Sequence, residues 1–384
     1  MSTTINLPRD TSIVQIAAAT EAQNTLWSDY LTGLGYSQSL ESWDAVKTVV
    51  RNGAATKFFK VGDQLQCKRG SDTLTWDVIG FDHDTPVDTN LTHSMTLLLH
   101  SAYASLVFNG AQALYYATTE LAAGTYNFTI SSTDSSTYAG TYEFTLTKAV
   151  PADGQIVFPF NSSTDPTTQN VTTYSSASST TAIESVAITS GSSGTALGTT
   201  NNLYRCQYGS NNWLESAVRQ YLNSSANAGS VWTPQNNYDR PPSWATTTAG
   251  FLNGLDSDFQ AVLTNVNKVT SLNTITDGGG SATNKELIFL LARGEVNGNN
   301  ENSIDEGTPY QYFTQNRGDT GTGRNDSADS NRIKYNASGV AVVWDMRSPY
   351  TGTAHSIRYI NNLGGSGSGG ATNLNYIVPA CVIA

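Results

Sequence analysis

The sequence predicts an α+β protein that is mainly β, a helical N-terminal segment followed by β-rich domains. Three observations predict it. Apolar residues recur at intervals of three and four up to residue 52 and alternate thereafter, the change from helical to strand periodicity. Only 13% of residues are charged against 38% hydrophobic and 10% aromatic, so Ser, Thr, Asn and Gly carry the polar share, as in β-rich proteins with Thr- and Tyr-bearing strands and Asn- and Gly-bearing turns. At 384 residues the chain is also too long for one core. It divides into a helical anchor or oligomerisation segment (1–56), a β-rich domain with a hairpin insertion (57–202) and a C-terminal α+β domain (203–384).

The elements follow in order. Ile13, Ala17, Thr20, Asn24, Trp27, Leu31 and Leu34 form a short, partly polar heptad seam. Such a seam suits either a coiled-coil stalk of identical chains or an amphipathic helix lying on another protein. A second helix over 42–52 gathers Trp43, Val46 and Val50 on one face and stops at Gly53. Strands are expected at 58–68, 74–82 and 95–100. The segments 125–130 (TYNFTI) and 141–147 (TYEFTLT) read as two arms of one hairpin, and 155–160 adds a further strand. The Ser/Thr/Gly-rich stretch 161–202 reads as a long decorated loop. The helix 213–223 (WLESAVRQYLN) has one broad apolar face and an i,i+4 pair, Glu215 with Arg219. Another helix starts near Asp256, 286–292 is an apolar central strand, and strands at 340–345, 355–360 and 377–383 end the chain.

Charge and motif content exclude several functions. A net charge of −11 and a pI near 4.7 disfavour nucleic acid, which demands clustered Lys and Arg. No apolar run reaches the roughly 18 residues that span a bilayer, so membrane insertion is not expected. The first ten residues lack a basic segment followed by an apolar one. An extracellular type of composition without a legible export signal is what a virion protein, assembled in the cytoplasm and released by lysis, would show. Cys67, Cys206 and Cys381 share no short spacing, which argues for buried thiols rather than zinc pairs or disulfides. G-x-S-x-G, H-E-x-x-H and G-x-x-x-x-G-K are all missing, and no enzyme is expected.

The residues suited to recognition lie in 231–244 (VWTPQNNYDRPPSW). Trp232, Asn236, Asn237, Tyr238, Arg240 and Trp244 combine rigid aromatic surface with adaptable hydrogen bonding in a Pro-stiffened segment, the mix that binds a sugar or a protein. The alternative is that the tryptophans fill the core. Tyr310 and Tyr312, beside Pro309, carry the same two readings. No cofactor is expected; calcium is the one candidate, at the oxygen-rich 297–307 (NGNNENSIDEG), although the spacing departs from an EF-hand and a solvated turn is the other reading. His83, His93 and His100 among Asp82, Asp84 and Asp88 offer a metal cluster or a polar loop flanking strands. Arg317-Gly318-Asp319 reads as part of a Gly-rich turn.

The motifs WDVIGFDHD and MTLLLH, then NNWLESAVRQYLN, GFLNGLDSDFQAVL, KELIFLLARGE, VVWDMRSP and the terminal IVPACVIA resemble an uncharacterised domain family of phage virion proteins and gut-bacterial surface proteins. The resemblance covers 57–384, with 111–202 as an insertion. The layout is similar to the C-type-lectin-like fold of formylglycine-generating enzymes and phage tropism proteins, which implies a lectin-like C-terminal domain with its ligand face on the loops 232–244, 294–323 and 349–352. Cysteine chemistry of the formylglycine-generating kind would need two nearby thiols, and Cys206 and Cys381 show no paired motif.

The function expected is that of a bacteriophage virion protein, a fibre, decoration or receptor-binding subunit. It would form a homo-oligomer, a trimer being the usual spike, and meet other virion proteins and a host-surface glycan or protein. One alternative is a purely structural capsid or tail component. Another is a glycan-active enzyme, which needs facing carboxylates roughly 5 to 10 Å apart; Asp256, Asp258, Glu295, Asp305 and Glu306 are its candidates.

Overall fold

The computed structural model describes residues 42–198, 200–314 and 324–384. The heptad seam from Ile13 to Leu34 and the tripeptide Arg317-Gly318-Asp319 lie outside the described residues. Strand accounts for 33% of the described residues and helix for 14%, so the fold is mainly β as expected.

The helix Trp43–Arg51 begins where the Ser42 side chain accepts a hydrogen bond from the Ala45 amide, and it buries Trp43, Ala45, Val46, Val49 and Val50. This apolar stripe is what ties it to the body of the protein. The Trp43 ring lies 4.5 Å from that of Phe259, and Arg51 Nε donates to the Ala384 carbonyl at 3.0 Å. A helix expected within a separate N-terminal segment thus packs into the main core.

Two five-stranded sheets organise that core. One runs in the order Gln64–Arg69, Asp72–Phe81, Met95–Leu99, Ala380–Ile383, Ile288–Phe289, antiparallel throughout. Met95–Leu99 and Ala380–Ile383 are buried at every position, which suits the centre of a sheet covered on both faces. The other sheet runs Ser366–Gly370, Ser356–Ile360, Trp344–Pro349, Leu374–Ile377, Ala104–Val107. Each sheet joins strands from before residue 108 to strands from the C-terminal part of the chain, and one hydrophobic core spans both sets.

A second core lies between them in sequence, from Leu114 to Cys206. Its hairpin, Gly124–Ile130 with Gly140–Leu146, pairs Tyr126 with Phe144 and Phe128 with Tyr142, and the Phe128 ring reaches Phe158 at 5.0 Å. The stretch read as a decorated loop differs from expectation. It supplies the strands Asn170–Tyr174 and Ala182–Ala187, and short edge strands Thr189–Ser190 and Thr195–Ala196 flank the hairpin. Few large apolar residues are needed there: Pro166, Val171, Thr173 and Ile188 are buried, and Val186 and Leu197 pack against the core. The two clusters of buried residues meet along the chain near 108–114 and 206–213, with the second lying within the first in sequence.

Two further elements differ. The expected helix 213–223 is a 3₁₀ turn, Trp213–Glu215, followed by the helix Ala217–Leu222. Ser216 adopts extended angles and caps the second piece by accepting from the Arg219 amide, so Glu215 and Arg219 do not pair. Arg219 instead meets Glu286 at 2.7 Å. The expected apolar strand 286–292 is broken: Glu286 ends a strand and pairs with Val266, and Ile288–Phe289 pairs with Cys381 and Ala380. Beyond it the Leu290 carbonyl accepts from the Arg347 guanidinium and the Leu291 carbonyl from the Arg347 amide. Asp256 caps the short helix Ser257–Gln260, as expected. Among the described residues no helix is long and apolar enough to cross a membrane.

Candidate functional site

The structure divides the 231–244 segment between core and surface. Trp232 and Trp244 are each only 9% exposed. Trp244 donates from Nε1 to the Val107 carbonyl at 3.1 Å and packs edge-on against Tyr221. The tryptophans fill the core, the second of the two readings made from sequence. Asn236 is also structural, its Oδ1 accepting from the Tyr238 amide at 2.8 Å and its Nδ2 donating to Glu215 at 2.9 Å. The pin of the segment is a residue the sequence did not single out, Asp239. It is 1% exposed and accepts from the Gln235 and Asn236 amides and from Gln112 Nε2 at 2.7, 3.1 and 2.8 Å.

Arg240 joins this segment to the second core. Its guanidinium lies 3.8 Å from the Tyr174 ring centroid and donates to the carbonyls of Ser176, Ala177 and Ser179. Gln155 Nε2 donates back to the Asn237 and Asp239 carbonyls, and Ala113 donates to that of Tyr238. Clamped in this way, the two parts leave a groove of about 290 Å³ between them, lined by Tyr116, Asp153, Ser176, Ser178, Gln235, Asn236 and Asn237 among others. The Tyr116 hydroxyl donates to Asp153, and that bond raises the phenol above its ordinary range. Exposed amides, hydroxyls, one carboxylate and a tyrosine ring give alternating donors and acceptors beside an aromatic face. That set can hold a polyhydroxylated ligand. It offers no facing pair of carboxylates for glycoside hydrolysis.

The remaining candidates lie elsewhere. Tyr310 is fully buried, donating to Asp84 and accepting from Lys268. Tyr312 donates to Asp77 at 3.0 Å, with its phenol pushed up by burial and that carboxylate. Tyr310 belongs to the core, and Tyr312 is half-buried against it. In 297–307 the carboxylates point to different partners: Glu301 to Arg293 and Arg358, Glu306 to Ser348 and the Ser271 amide, and Asp305 towards Arg324 at 3.6 Å. Asp256 serves as a helix cap, and Glu295 is held by Lys268 and Arg347. The histidines are also dispersed. The His83 ring packs against that of Tyr310 at a tilt of 41°, while His93 meets Asp82 and His100 meets Asp77. Among the described residues no three His, Cys, Asp or Glu side chains converge as a metal site. All three cysteines are buried and unpaired. Burial pushes Cys67 up to about 12 and raises Cys206 and Cys381 as well, so these thiols stay protonated and act in packing.

A family model for a domain of unknown function, DUF6273, matches residues 179–384. That is more than half of the chain. The protein belongs to the DUF6273 family. No curated protein and no solved structure matches it. The DUF6273 region contributes Gln235, Asn236 and Asn237 to the groove, whereas Tyr116, Asp153, Ser176 and Ser178 precede its boundary. The central sheet likewise needs Met95–Leu99 beside the DUF6273 strand Ala380–Ile383, so the folded unit extends beyond the matched segment. Of the residues singled out from the sequence, Asn236 and Asn237 line this groove, while Tyr116, Asp153, Ser176 and Ser178 were not singled out. Asp239 could have been found as a turn-forming Asx residue among Asn, Tyr and Pro. Tyr116, Asp153 and Gln155 carry no local signal.

Proposed function

We propose that this protein is a bacteriophage virion component of the adhesion type, binding host-surface carbohydrate in the groove between its two cores. The observation that carries the reading is the polar lining of that groove, with Tyr116 offering a ring face and Asp153, Gln235 and Asn237 offering hydrogen bonds to hydroxyls. The layout also supports a C-type-lectin-like reading: the helices Trp43–Arg51 and Ala217–Leu222 accompany a sheet in which the last strand returns beside an early one. Each groove is small and open, so useful avidity would come from a homo-oligomer, a trimer in the usual spike arrangement.

The test is binding of the full chain to a panel of host-surface oligosaccharides, with Tyr116→Ala and Asn237→Ala compared against the parent. Each substitution should weaken binding about tenfold, roughly 1.4 kcal/mol, without changing the thermal midpoint. Retained affinity in both variants would move the ligand face elsewhere. No binding to any member of the panel would favour a purely structural component that contacts other virion proteins.

A further inference from the structure

The most densely charged part of the interior is a cluster that the groove does not use. Lys268, on the strand Val266–Ser271, is 3% exposed. Its Nζ touches Asp84 Oδ1 and lies 2.8 Å from Glu295 Oε1 and 2.8 Å from the Tyr310 hydroxyl, with the Phe289 ring 4.2 Å away. The other oxygen of Asp84, Oδ2, accepts from Thr96 Oγ1 at 2.5 Å and from the Tyr310 hydroxyl at 2.7 Å. Glu295 is fixed on its far side by Arg347 at 2.6 Å and by the Ala292 amide at 2.8 Å.

We propose that Lys268 and Asp84 condense into an intramolecular amide, with Glu295 as the proton carrier. An amine, a carboxyl carbon and a base are held together away from water, where hydrolysis of the product is suppressed. The ammonium gives one proton to Oδ1, and the freed amine forms the N–C bond to the Asp84 carboxyl carbon. Negative charge gathers on Oδ2, where the Thr96 and Tyr310 hydroxyls already donate, the placement of an oxyanion hole. Glu295 takes a second proton from the nitrogen and passes it to Oδ1. The C–Oδ1 bond breaks, one water leaves, the carbonyl re-forms at Oδ2, and nitrogen keeps its third proton. Burial alone would raise the Glu295 carboxyl, but Arg347 and Lys268 outweigh it and hold Glu295 below the usual range, so it starts the sequence as a carboxylate able to accept.

Electrostatics favours the product. Two buried charges that are costly to desolvate disappear, while the Arg347–Glu295 pair remains balanced. The second buried lysine provides a contrast. Lys334 sits 3.4 Å from Asp77, but its Nζ is taken up by the Leu99 and His100 carbonyls, and among the described residues no second carboxylate meets it. Condensation is expected at Lys268 and not at Lys334. Backbone pairing already holds the reacting segments together, through Val87 to Asn265 and Asn267 to Thr85. The amide would close a loop containing the whole second core, a covalent tie in a chain whose cysteines are all unpaired.

Intact mass of the reduced, denatured full-length protein decides the matter. The expected value is one water below the sequence mass, with a branched proteolytic peptide joining Lys268 to Asp84. Full sequence mass with both peptides free would overturn the proposal, and this reading needs no variant to fold. Lys268→Arg and Asp84→Ala should restore the full mass. A water loss that persists in Lys268→Arg would assign it to a cyclised aspartate and equally overturn the link. Glu295→Gln should give full mass with strand content retained by circular dichroism; a linked Glu295→Gln protein would remove Glu295 from the mechanism.

Discussion

His355 stacks with the rings of Tyr204 and Tyr208, at 5.1 and 5.0 Å, and among the described residues its buried Nδ1 finds no hydrogen-bond partner. Burial lowers its pKa from 6.5 to about 4, because charging the ring there forfeits hydration without a counter-charge. The unfolded chain therefore takes up the proton first. The stability His355 contributes is complete above pH 6.5 and is lost as pH falls from 6.5 towards 4. His355→Phe should flatten this part of the thermal midpoint against pH curve relative to the parent; parallel curves would show that the ring titrates normally. Arg347 illustrates the opposite economy of a buried charge. It is fully buried, and its donors reach Thr270, Leu290, Glu295, Val269 and Glu306, so every direction of its guanidinium is occupied.

At the scale of elements, caps decide boundaries that periodicity leaves ambiguous. The apolar spacing of 213–223 is continuous, but Ser216 leaves the helical region and its hydroxyl accepts from the Arg219 amide at 3.1 Å. Two short pieces at an angle let Trp213 Nε1 and Arg219 Nε share Glu286 Oε1, at 2.8 and 2.7 Å, which one straight helix with a Glu215–Arg219 pair would not. Ser216→Ala should cost about 1 kcal/mol, read as a lower urea midpoint with unchanged slope. An unchanged midpoint would mean that the Ala217–Leu222 helix is held by packing alone. The hairpin of the second core was fully legible, because aromatic residues alternating with Thr on both arms specify one register. The strands of 161–202 were not. Their exposed positions are small residues, Asn, Ala, Ser and Thr, and their few inward positions give too weak an alternation to separate strand from loop.

For the molecule as a whole, the seam between the two cores is where recognition is proposed, and Arg240 is its fastener. Its contacts run 61 to 64 residues back along the chain, to the Ser176, Ala177 and Ser179 carbonyls. Arg240→Ala should speed amide hydrogen exchange in 174–179 and weaken oligosaccharide binding together, while Met95–Leu99 at the centre of the main sheet keeps its protection. Faster exchange with unchanged binding would separate the seam from the ligand site.

The sequence by itself determined the β-rich class, the helix Trp43–Arg51, the aromatic hairpin and the buried cysteines. Each is written in local spacing, composition or capping residues. Only the tertiary structure decided that Trp232, Trp244 and Tyr310 are interior, that residues 114–206 are inserted into a core built from both flanks, and that Tyr116 and Asn237 line one groove. It also brought Lys268 to Asp84, 184 residues apart. The physical reason is the same in every case. Burial of an aromatic or charged side chain depends on what distant chain covers it, and local periodicity records which face turns inward but not what that face will meet.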